Sequence, residues 1–144
     1  MSNASCLCIN LRSAAQALTR DYDAAIARSG ITVSQFSLLG HIRSARSLTV
    51  SELAELTGID RSTLGRNLRL LEKQQLVTLS TGTDARTRQI KLTARGRSVF
   101  REAAPHWRQV QTNYESRLGP EKAAHLLSLL QELKGQPDQP EAIL

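Results

Sequence analysis

The chain has few aromatics, little cysteine and no long apolar run. Five aromatic side chains stand among 144 residues: one Trp, two Tyr and two Phe. So few rings leave few stacking partners for a flat ligand. The only cysteines, Cys6 and Cys8, are too few and too close for a disulfide framework, so a reducing cytosol is the default compartment. No apolar stretch approaches the roughly 20 residues of a membrane helix, and no basic segment followed by an apolar one opens the chain. Neither a membrane span nor a secretory signal is therefore expected. A phosphate-binding glycine loop, a nucleophile elbow and a His/Cys pair at metal-ligand spacing are missing too. The three histidines, His41, His106 and His125, are scattered. The expectation is a protein that is not an enzyme and that holds no cofactor and no metal.

What is present is more specific. The length suits one domain with a genuine core, and 40% apolar residues exclude global disorder. The net charge is +6, and it is not spread evenly. Residues 58–97 hold nine basic side chains against three acidic ones, while the rest of the chain holds ten of each. A localised basic patch is the electrostatic footprint of a polyanion partner, most often nucleic acid.

The apolar spacing predicts a mainly α protein with a small β-hairpin. Leu7, Leu11, Ala14, Leu18, Tyr22 and Ile26 recur at helical spacing to about Arg28, and Ser29-Gly30 ends that helix. Thr32-Val33-Ser34-Gln35 and Thr49-Val50-Ser51-Glu52 read as capping boxes. The first opens a helix that buries Phe36, Leu39 and Ile42. The second opens a short helix with Leu53, Ala54 and Leu56 turned inward. Gly58-Ile59 makes a tight turn, and Asp60 caps the next helix. Two β-rich runs follow, Leu76–Ser80 and Gln89–Leu92, joined by a polar tip. From Thr93 a long helix buries Phe100, Ala103, Trp107, Val110, Tyr114 and Leu118, with a bend expected at Pro105. After Gly119-Pro120, a last helix carries Leu126, Leu127, Leu129, Leu130 and Leu133.

Residues 60–73 carry the chemistry. Leu64, Leu68 and Leu71 share one helical face, which belongs against a core. The other positions offer Arg61, Ser62, Thr63, Arg66, Asn67 and Arg69, with no acid between Asp60 and Glu72. A solvated face ordinarily mixes Glu with Lys; this one does not. Two short helices, a tight turn and a hairpin form a winged helix-turn-helix, and residues 60–74 are its recognition helix. Arg forks onto guanine, Asn pairs with adenine, and Ser or Thr reaches phosphates or base edges. Gly65 either leaves room for close approach or only loosens the helix.

This arrangement resembles the MarR family of bacterial transcription regulators, from Leu7 to Lys134. The matching pieces are ITVSQFSLL (31–39), LTVSELAELTGIDRSTLGRNLRLLEKQQLV (48–77), DAR (84–86) and KLTARGR (91–97). The resemblance implies a homodimer whose N- and C-terminal helices interlock and whose winged lobes read a pseudo-palindrome in double-stranded DNA. It implies a repressor relieved by a small molecule or by thiol oxidation, in the bacterial cytoplasm and associated with the nucleoid. It divides the chain into an N-terminal dimerisation helix (1–30), a DNA-binding lobe (31–97), C-terminal dimerisation helices (98–135) and a flexible tail (136–144). Candidate DNA-binding residues are Ser51, Arg61, Ser62, Thr63, Arg66, Asn67, Arg69 and Lys73, with Asp84, Arg86 and Arg88 in the wing. Arg86 matches the residue inserted into the minor groove, and Asp84 the acid that orients it.

The segment 7–23 is similar to the first helix of the branch that senses organic hydroperoxides, which places a reactive cysteine at Cys8. Arg12 lies one turn after Cys8, and a neighbouring cation favours a thiolate; a small apolar filler in an interface is the other use of such a cysteine. Tyr22, Phe36, His41, His106 and Trp107 are candidates to line a pocket for a lipophilic effector, or are packing residues. The alternative to a regulator is a sequence-indifferent architectural DNA protein.

Overall fold

The computed structural model describes residues 5–80, 83–84 and 87–135. Among these residues, six helices and a two-stranded sheet follow in the order α1 (Leu7–Ile26), α2 (Val33–Ser44), α3 (Val50–Thr57), α4 (Arg61–Lys73), β1 (Val77–Leu79), β2 (Ile90–Leu92), α5 (Ala94–Leu118) and α6 (Pro120–Leu133). A single 3₁₀ turn, Ala27–Ser29, closes α1, and Gly30 takes the left-handed conformation (φ 72°) that reverses the chain.

The helix starts follow from local hydrogen bonding. Both capping boxes form: the Thr32 hydroxyl accepts from the Gln35 N–H while Gln35 reaches back, and Thr49 and Glu52 do the same. Asp23 of α1 adds a bond that the sequence pattern does not announce. Its carboxylate accepts the Val33 N–H at 2.7 Å and so ties α1 to the first turn of α2. Thr93 caps α5 by accepting the Gly96 N–H, and its hydroxyl donates to the Gln75 carbonyl at 2.6 Å.

The core lies in the lobe between α2 and the start of α5. Leu64, Leu68 and Leu71 of α4 meet Leu53 of α3, Leu39 and Ile42 of α2, and Val77 and Ile90 of the sheet, all nearly inaccessible to solvent. Each such leucine contributes about 1.5–3 kcal/mol by leaving water. All five aromatic residues form one continuous stack: Phe100 lies on Phe36 (centroids 4.5 Å apart), Phe36 on Trp107, Trp107 on Tyr22 and Tyr22 on Tyr114. This stack joins the lobe to the α1–α5 pair.

Three sequence expectations need correction. Leu56 is exposed, because Val50, Leu53, Ala54 and Thr57 define the inward arc of α3 and Leu56 falls off its edge. Leu118 is also exposed; burial along α5 fades from Phe100 through Trp107 and Tyr114 toward its C-terminus. The strands are shorter than the β-rich runs, three residues each. Pro105 lies inside α5, which continues as one helix through it. The tail, 136–144, lies outside the described residues.

Candidate nucleic-acid interface

Asp60 sets the start of α4. Its carboxylate accepts the Thr63 N–H at 3.0 Å and the Thr63 hydroxyl at 2.6 Å. These two bonds, side chain first, hold its pKa below the ordinary carboxylate value, with a smaller contribution from the Arg66 guanidinium. Arg66 in turn donates to the Thr63 hydroxyl. Asp60, Thr63 and Arg66 therefore form one hydrogen-bonded chain along the first turn. Gly58, left-handed at φ 67°, makes the turn between α3 and α4, and its N–H closes α3 on the Ala54 carbonyl.

With three leucines buried on the other side, α4 turns Arg61, Ser62, Arg66, Arg69 and Lys73 to solvent. Thr63 and Asn67 are half-buried and stand at the edge of that face rather than on its crest. The hairpin pairs antiparallel, with Val77 opposite Leu92, Thr78 opposite Lys91 and Leu79 opposite Ile90. The far edge of β2 is tied to the segment entering α3: the Ile90 N–H donates to Leu48 C=O at 2.8 Å, and the Val50 N–H to Arg88 C=O at 3.2 Å. This second pairing was not legible in the sequence. It brings Ser51 and Arg88 to the same flank of α4, where both line a groove with Arg61 and Arg69.

In the wing, Asp84 is exposed on a bend, and its carbonyl accepts the Thr87 N–H at 3.0 Å and the Thr87 hydroxyl at 2.9 Å. Arg86 and the Thr81-Gly82 tip lie outside the described residues. The KLTARGR segment has a structural explanation. Thr93 caps α5, and a Cβ at position 96 would come within 2.0 Å of the Leu76 carbonyl oxygen, so only glycine lets α5 cross the foot of β1.

Cys8 is exposed in the first turn of α1, with exposed Arg12 one turn on; Cys6 is the half-buried N-cap residue. Of the effector-pocket candidates, Tyr22, Phe36 and Trp107 are brought together, packed ring on ring. The Tyr22 hydroxyl donates to the Gln111 side chain, and burial raises its pKa, with Glu115 and Tyr114 adding to the shift. His41 is half-buried on α2 and His106 exposed on α5. Among the described residues, no helix is long and apolar enough to cross a membrane, and no group of three or more His, Cys, Asp or Glu could hold a metal ion.

A capped helix-turn-helix with a basic outer face and a hairpin wing defines a DNA-binding regulator, and comparison with known proteins agrees. The MarR family model matches residues 29–87. A crystal structure of the M. tuberculosis transcriptional regulator MosR superimposes with a TM-score of 0.80 and is 36% identical, covering 93% of this chain and 99% of that one. The structure of the same regulator in complex with DNA is 38% identical with a TM-score of 0.80, covering 91% and 98%. An HTH-type transcriptional regulator of Bacillus cereus is 28% identical over 115 residues, 79% of this chain and 77% of its own length. The chain belongs to the MarR family of transcriptional regulators. Its relatives and its fold are those of regulators rather than of enzymes.

Proposed function

We propose that this regulator is a repressor that binds a pseudo-palindromic operator as a homodimer and leaves it on a small-molecule or oxidant signal, in the bacterial cytoplasm at the nucleoid. The observation that carries the reading is the outer face of α4: three arginines and two hydroxyls, with no carboxylate between Asp60 and Glu72, on a helix whose opposite side is locked into the core. The relative crystallised with DNA supports it. Ser62, Thr63, Arg66 and Asn67 then face the base edges of the major groove, while Ser51, Arg61, Arg69, Lys73 and Arg88 hold phosphates. On the family resemblance, Arg86 enters the adjacent minor groove and Asp84 orients it.

The dimer reading rests on apolar surface that one chain leaves open. Leu7 at the start of α1 is 67% exposed and Leu127 in α6 60%, and Ile9 of α1 and Leu126, Leu129 and Leu133 of α6 are exposed too. Residues 1–30 and 98–135 are on this reading the dimerisation helices, residues 31–97 the DNA lobe and residues 136–144 a tail.

The test is selection of bound duplexes from random DNA, followed by alanine at Arg66 or Asn67. Either change is expected to weaken the selected operator by about 1–3 kcal/mol and random DNA much less. Equal losses on both would reduce these residues to phosphate contacts, and uniform coverage of genomic fragments would favour an architectural protein. For the signal, an organic hydroperoxide is expected to release the wild type and spare Cys8→Ser. Release of both or of neither leaves a lipophilic effector beside the Tyr22–Trp107 stack, which a thermal-shift screen of phenolics would find.

A further inference from the structure

Helix α4 carries no side chain at Gly65, and a Cβ built there meets nothing within 4 Å. A groove of about 170 Å³ opens at that point, between α4, the start of α3 and the base of the wing. Three guanidinium-bearing residues line it: Arg61 and Arg69 from α4, and Arg88 from the segment that leads into β2. Its apolar part comes from Leu68, Leu79 and Val50, and none of the described residues lining it is acidic. Glycine in a helix interior lowers the stability of the helix relative to alanine. Nothing inside this fold calls for it here, since the space beside it is open.

The geometry of a bound duplex gives that space an occupant. A helix in the major groove and a wing over the neighbouring minor groove are separated by one sugar–phosphate strand. That strand must cross the protein between α4 and the hairpin, where this groove lies. Its chemistry matches: guanidinium groups for phosphate oxygens, and apolar carbon for the face of deoxyribose. Resting on the regulator reading, we propose that the Gly65 groove is the seat of this one backbone strand. The missing side chain lets the strand lie against α4, and the three arginines hold it there whatever its sequence. The seat is a positioning device: it sets the depth and register at which Arg66 and Asn67 meet base edges.

The experiment uses the full chain as wild type, Gly65→Ala and Gly65→Leu. Each is titrated on a duplex selected from random DNA by the wild type and on a scrambled duplex of equal composition. Gly65→Ala is expected to melt about 2–8 °C higher, as the better helix former. It is nevertheless expected to bind both duplexes about threefold more weakly, and Gly65→Leu at least about tenfold more weakly on both. A neutral methylphosphonate introduced at one phosphate at a time is expected to weaken the wild type at one or two adjacent positions per half-site, and to leave Gly65→Leu indifferent at the same positions. Unchanged affinity in both variants overturns the seat, and so does a loss confined to the selected duplex, which would mean a base contact. A wild type that selects no duplex at all overturns the regulator reading instead, so the two failures are distinguishable.

Discussion

At the scale of single residues, two glycines on different helices have opposite reasons to be there. Gly65 faces open space, whereas Gly96 faces the Leu76 carbonyl oxygen, which a Cβ would approach to 2.0 Å. That oxygen also accepts the Thr93 N–H at 3.1 Å, so it cannot retreat without losing the joint between β1 and α5. Gly96→Ala is therefore expected to destabilise the fold by about 1–3 kcal/mol, the range for forced overpacking. Denaturant unfolding would show it as a lower midpoint at unchanged slope, and an unaltered midpoint would mean that the joint relaxes freely. Gln75 is a third backbone specialist: it holds a left-handed φ of 61° where glycine is the usual residue, and ends α4 with the Leu76 N–H bonded back to Leu71 C=O.

At the scale of elements, the helix-turn-helix depends on short polar bonds at helix starts more than on helix length. α3 has eight residues and α4 thirteen, short enough to be marginal alone. Glu52 and Asp60 cap them, and both carboxylates have pKa values lowered chiefly by bonds to Thr49 and to Thr63. A lowered folded-state pKa means stability that is fully present above the ordinary values of 4.5 and 3.8 and is lost as pH falls through the folded ones. Thermal midpoints of wild type and Asp60→Asn are thus expected to differ by a constant amount from about pH 5 to pH 8 and to converge in stronger acid. A difference that changes between pH 6 and 8 would contradict this and point to a histidine. The same cap reaches Arg66: the Thr63 hydroxyl that serves Asp60 also accepts from the guanidinium.

At the scale of the whole molecule, the lobe is complete and the terminal helices are not. Leu64, Leu68 and Leu71 are shielded within one chain, whereas α6 buries none of its residues fully. Each leucine of the stripe 126–133 gains up to about 1.5–3 kcal/mol if a partner covers it. Removal of residues 121–144 is therefore expected to give aggregate or an unstable monomer, read by light scattering and thermal melting. A truncated chain that stays folded, monomeric and dispersed would argue against the dimer. The aromatic stack runs from Phe100 in the lobe to Tyr114, whose hydroxyl donates to Asp21 at 2.5 Å. It is a continuous packed path from the lobe core to the α1–α5 pair.

By itself the sequence determined the elements and their order, because what sets them is local. Capping boxes at Thr32 and Thr49, the Gly58 turn, the leucine period in α4 and the clustered arginines act over a few residues, and all were legible. The family resemblance of 31–39, 48–77 and 91–97 was legible for the same reason. Tertiary structure decided what depends on distant segments meeting. The pairing of Leu48–Val50 with β2, the Asp23 bond to α2, the contact that requires Gly96 and the groove beside Gly65 each join residues of separate elements. Leu56 shows the limit of periodicity: an apolar residue at helical spacing has no preferred side until the neighbouring helices fix which arc of α3 faces the core.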